Sequence, residues 1–182
     1  MNIDSLKERY HDLHDLEKAI RMNPLTSPAI PRLPARIGAW LFALWGVLHL
    51  WVGAEGVRLY LTAGTPELWG MLIGGHAVPR AAFVHTTDPV TAFAQGQLLL
   101  NFCLDVGGYG VLGFFVAWMI LRRDAWVGYL IGLVAIGLCD LAFLFSQVVP
   151  GVIELNAGTV GGPVLWFLAI LITPWGITRR AA

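Results

Sequence analysis

Two carboxylic acids stand inside stretches of this chain that otherwise read as hydrocarbon. Asp105 falls within the apolar run 98–121 and Asp140 within the apolar run 125–149, and the two runs are joined by Arg122-Arg123-Asp124. An acid in a lipid-spanning segment costs on the order of 3 kcal/mol even on lenient insertion scales, so each is a candidate for function. Asp105 precedes Arg122 by 17 residues and Asp140 follows Asp124 by 16. At a helical rise of ~1.5 Å per residue both carboxyls lie about 25 Å from the same membrane face. His49 and Glu55 stand 13 and 19 residues beyond Arg36, which puts them about 20 and 28 Å deep from that face.

His49, Glu55, Asp105 and Asp140, with Asn101 somewhat farther out, therefore form a candidate constellation at one depth. Two facing carboxyls in a low dielectric share a proton rather than ionise together, and His49 offers a compensating charge or a proton partner. Such a group suits proton transfer, acid/base work on a lipophilic substrate, or a cation site. The structural alternative caps both acids with hydroxyls, backbone and water, or pairs them with basic residues of a neighbouring subunit.

Other chemistries lack the residues they need. Bis-histidine haem ligation within a bundle takes imidazoles from two spans, and His49 is the only histidine in any expected span. No serine or cysteine sits beside a histidine in a nucleophile motif, and the glycines follow no strand as a phosphate loop requires. His11 and His14 have one-turn spacing without a third nearby ligand and read as surface residues; no metal site is assigned. Cys103 and Cys139 differ in expected depth by about 6 Å, too far for a disulfide.

The elements that hold these residues follow from composition. Hydrophobic residues make up 57% of the 182 residues and charged ones 13%, half the ~25% of soluble chains, so this is a membrane protein. Spans are expected at about 37–57, 93–121, 125–149 and 159–177, each long enough for a ~30 Å hydrocarbon layer. The fold class is thus an all-α membrane protein, a four-helix bundle over 36–178, preceded by an amphipathic helix and Pro-rich linker over 1–35. In the helix, Leu6, Tyr10, Leu13, Leu16 and Ile20 line one stripe, and Lys7, Glu8, Arg9, Asp12, Asp15, Glu17, Lys18 and Arg21 balance charge on the other face. Balanced signs favour docking on protein over adsorption to anionic lipid. Pro24, Pro28, Pro31 and Pro34 stiffen the linker. The charged start has no apolar core run, so no cleavable signal peptide is expected.

The connection 58–91 is the longest, and its patch 69–73 is too short to span, which suits a re-entrant or interfacial segment. Gly107, Gly108, Gly110 and Gly113, with the Gly128/Gly132 step, predict close helix packing; the competing reading is room for a ligand beside Asp105. Threading four spans puts ten basic residues on one side and leaves Arg58 and Arg80 on the other. By the positive-inside rule both termini are cytoplasmic, and a bacterial inner membrane is expected.

Gly46-Val47-Leu48-His49 and Asp140 faintly resemble four-helix membrane proteins related to sterol isomerases. Gly53 stands where those have an acid, and the fourth span offers only apolar residues and Thr173 in place of their polar pair, so no family is assigned on this ground. Equal numbers of basic and acidic residues, 12 each, remove the basic excess of a nucleic-acid binder. The leading expectation is a small accessory subunit packed within a larger membrane complex, with membrane lipid and other subunits as partners through residues 1–35 and the spans. The alternative is an enzyme or carrier acting on a lipophilic small molecule through His49, Glu55, Asp105 and Asp140. No cofactor is named.

Overall fold

The computed structural model describes residues 31–122 and 125–177. The expected amphipathic helix with His11 and His14, most of the Pro-rich linker, Arg123, Asp124 and the terminal arginines lie outside the described residues. What is described is an all-α four-helix membrane bundle, with four helices long and apolar enough to cross a bilayer.

The first span, α1, runs Leu33–Ala63, starting four residues before the expected boundary. Pro34 accounts for the difference: it sits in the first helical turn, where its missing N–H has no intrahelical partner to lose. The helix ends at Gly64, whose φ of 83° is open to glycine at no steric cost. The chain then turns into α2, Thr65–Leu72, eight residues that fold against α1 and α3 and bury Leu68 completely. The long connection is therefore shorter than 58–91, because α1 takes its first turn and a half.

The second span, α3, runs Pro89–Arg122. Asp88 accepts from the Thr91 backbone N–H at 2.8 Å and from the Thr91 hydroxyl at 2.6 Å, capping donors that a helix start leaves unpaired. The third span, α4, covers Ala125–Val148 and is not a uniform α-helix: π turns at Gly132–Ile136 and Leu144–Val148 flank the α-helical segment Gly137–Phe143. The fourth, α5, is Ala157–Ile172 with a 3₁₀ extension Thr173–Gly176. Its start is secured by a capping box between Asn156 and Thr159. Pro163 lies inside this helix, about two turns beyond the Asn156 cap.

Helix pairing in lipid relies on close backbone approach rather than on expulsion of water, and α1 and α3 achieve it through glycine. A Cβ added at Gly46 would lie 2.6 Å from the Gly110 carbonyl oxygen, and one at Gly53 would lie 2.6 Å from that of Cys103. The reciprocal addition at Gly110 would lie 2.7 Å from the Gly46 carbonyl oxygen. The glycines of α3 thus serve packing against α1; only Gly108 faces open space. Near the hairpin turn α4 packs as closely, with Gly132 under Phe42 and Val116. Phe42, Trp45, Val116, Ile120 and Ile136 form the buried core there.

Farther from the turn the hairpin opens. The outer half of α4 packs on α5 and hardly touches α3. The loops close over this open end: Gly75 donates to the Val152 carbonyl at 3.1 Å and Ala77 to that of Gly151 at 2.9 Å. Arg80 bonds both the Gly70 carbonyl and the Glu154 carboxylate.

Candidate functional site

The splayed hairpin leaves a cavity of about 870 Å³, lined by α1, α2, α3, α4 and α5. His49, Glu55, Asp105 and Asp140 all line it. Their expected common depth came from counting along single helices; that they face one space follows from the way the helices rotate and diverge.

Asp140 is the innermost charge, 2% exposed. Its Oδ2 accepts from the Trp45 indole N–H at 2.8 Å, and Trp45 is itself wholly buried. Its Oδ1 lies 3.7 Å from His49 Nε2, beyond hydrogen-bond reach. The His49 ring stacks on Trp45 with centroids 3.7 Å apart, and its Nδ1 lies 2.9 Å from the Trp45 carbonyl oxygen. Trp45 therefore holds both partners: its side chain holds the carboxylate and its peptide oxygen holds the imidazole.

The rest of the helix geometry serves this contact. Each π turn places an extra residue in one turn and shifts the phase of everything beyond it, and the two π turns lie on either side of Asp140. Trp166 of α5 donates its indole N–H to the Gly132 carbonyl at 3.1 Å, at the start of the first π turn. Gly162 of α5 has no side chain where His49 sits: a Cβ there would lie 2.8 Å from His49 Cε1 and 3.4 Å from Asp140 Oδ1.

Asp105 occupies a different place from the one its depth suggests. It is exposed at the cavity rim and accepts from the Asn101 amide at 2.8 Å. It shares no hydrogen bond or ion pair with Asp140 among the described residues, so the facing-carboxyl arrangement gives way to two separately partnered acids. The physical reason is the divergence of α3 and α4. Tyr109 of α3 and Cys139 of α4 line the cavity with the two acids. Glu55 is held by Arg58 in a two-pronged bond, 2.7 Å from Nε and 2.6 Å from Nη2, and so arrives already neutralised.

Sequence reasoning missed Trp45, Tyr109 and Gly162. Trp45 carried a usable signal, since it precedes His49 by one helical turn. Gly162 carried a weaker one in its glycine pair, and Tyr109 none. His76 and His85 do not enter the site: a side chain added at Gly151 would collide with the His76 ring, and His85 packs edge-on against Phe83. Among the described residues no three His, Cys, Asp or Glu side chains gather as a metal-ligand set.

In size the cavity matches small-molecule sites, which run to roughly 300–1,000 Å³ with mostly apolar walls and a few placed polar groups. Leu48, Val52, Leu138 and Phe143 supply the walls. Exposed Trp51 and Leu138 at its margin leave it open on the lipid-facing surface. Compared with family models, curated proteins and solved structures, the chain matches none.

Proposed function

We propose that the chain is a membrane-embedded binding protein for a lipophilic small molecule, held in the cavity between the spans, with Asp140 and His49 as the polar end of the site and as the groups that exchange a proton with it. One observation carries this reading: a nearly fully buried acid, backed by an indole and faced by an imidazole, lines an apolar cavity large enough for a ligand. An acid so placed costs too much in lipid to serve packing alone.

Purification in mild detergent with mass spectrometry of extracted small molecules tests the reading. The native protein is expected to release one lipophilic species near stoichiometric amount, and a folded Val106→Trp variant, with an indole filling the cavity, is expected to release much less. Equal release from both overturns it.

A role as accessory subunit in a larger membrane complex is the second proposal, supported by the balanced charge pattern of residues 4–22. A protein partner that co-purifies and is lost on deletion of residues 1–35 would favour it. Placement in a bacterial inner membrane with cytoplasmic termini rests on ten basic residues against two. Labelling of single cysteines placed at Thr87 and Ala182 tests that orientation, the first being expected to react from the outer side only.

A further inference from the structure

Within that binding reading, we propose that the ligand is a lipophilic primary amine bound as its ammonium, with N–H groups shared between Asp140 Oδ1 and His49 Nε2. A peptide carbonyl can only accept, so the 2.9 Å contact between His49 Nδ1 and the Trp45 oxygen requires the proton on Nδ1. The neutral ring then presents Nε2 as a bare acceptor. Across from it, Asp140 Oδ1 accepts no hydrogen bond among the described residues, since the Trp45 indole is spent on Oδ2. Two acceptors thus face each other at 3.7 Å, well beyond the ~2.8 Å of a direct charge-assisted bond.

A donor between them resolves the arrangement, and it needs two hydrogens. A nitrogen about 2.8 Å from both atoms closes a triangle on the 3.7 Å base. Among head groups of lipophilic molecules, a hydroxyl has one proton and satisfies one acceptor, whereas an ammonium satisfies both. Gly162 keeps the adjoining space clear, because its missing Cβ would stand 2.8 Å from the imidazole and 3.4 Å from Oδ1.

Charge selects in the same direction. Among the described residues the cavity is lined by Glu55, Asp105 and Asp140 and by no lysine or arginine, with His49 the only basic side chain. Glu55 is matched by Arg58 from outside the lining. Asp105 and Asp140, which no cation matches among the described residues, therefore repel a fatty acid or a phosphate and attract a cation, and at buried Asp140 the attraction is weakly screened. The apolar walls accept the hydrocarbon body.

Radiolabelled dodecylamine and dodecanol retained through gel filtration by the full chain in a non-ionic detergent form the test, with unlabelled competitors. Dodecylamine is expected to be retained near one per chain. N,N,N-trimethyldodecylammonium, a cation of similar body without N–H, is expected to compete at least about tenfold less well, the equivalent of about 1.4 kcal/mol, and dodecanoate not at all. Asp140→Asn and Gly162→Ala should each weaken dodecylamine about tenfold or more. The competitor series on the unaltered protein stands even where a variant does not fold. Equal competition by the trimethyl cation overturns the shared N–H contact. Retention of dodecanol without dodecylamine overturns the amine while leaving the binding reading in place. Retention of neither, with no lipophile released from the native protein, removes both.

Discussion

Trp45 is the residue on which the site turns, because one side chain and its own peptide oxygen fix the two groups that matter. Replacing it with Phe keeps an aromatic ring in a wholly buried position and removes the N–H that Asp140 Oδ2 accepts. A buried acceptor stripped of its donor costs about 1–3 kcal/mol, so Trp45→Phe should unfold earlier in a thermal scan in detergent. Trp45→Phe combined with Asp140→Leu should recover part of the loss, since the carboxylate that lost its donor is then gone as well. Full stability of the single variant would show that the indole bond contributes nothing. The acid and the histidine were legible in the sequence because a polar residue stands out in an apolar run. The tryptophan was legible only as the residue one helical turn before His49, since tryptophans are common throughout these spans and its bond to Asp140 reaches across 95 residues.

At the scale of the element, the glycine seam between α1 and α3 makes a sharp comparison. Gly46→Leu would drive a side chain into the Gly110 carbonyl, whereas Gly108 has nothing within 4 Å of an added Cβ. The first should cost about 3 kcal/mol or more and the second should leave unfolding temperature nearly unchanged. Equal effects would mean that the two backbones are not in contact. The start of α3 supplies a pH test. The Thr91 hydroxyl, and then the Thr91 backbone N–H, hold the exposed Asp88 carboxyl below its ordinary value. A depressed value in the folded state means that the cap contributes above the unfolded pKa and is lost as pH falls through the folded one. Exchange of the Thr91 amide should therefore speed up, relative to its neighbours, below about pH 4, and Asp88→Asn should abolish that step. The helices were legible as elements, but their ends moved wherever a local device intervened: Pro34 in a first turn, Asp88 as a cap, Asn156 in a capping box.

For the molecule as a whole, the consequential feature is a hairpin closed at its turn and open at its other end, with loops drawn across the opening. The Arg80–Glu154 ion pair is half exposed on both sides, and exposed pairs contribute about 0.2–1 kcal/mol. Arg80→Gln should barely move global unfolding. It should nevertheless speed amide exchange at Gly75 and Ala77, whose bonds to Val152 and Gly151 join the two loops. Unchanged exchange there would mean that the backbone pairing holds the loops without the ion pair.

Four spans, and the place of each acid along its own span, were decided by the sequence alone, because length, hydropathy and a fixed rise per residue are properties of one helix at a time. Which way an acid faces is not such a property. Two π turns alter the phase of α4 around Asp140, glycines set how near α1 and α3 approach, and the divergence of α3 from α4 separates Asp105 from Asp140 while opening the cavity they both line. Those outcomes depend on contacts between segments far apart in the chain, and only the tertiary structure decided them.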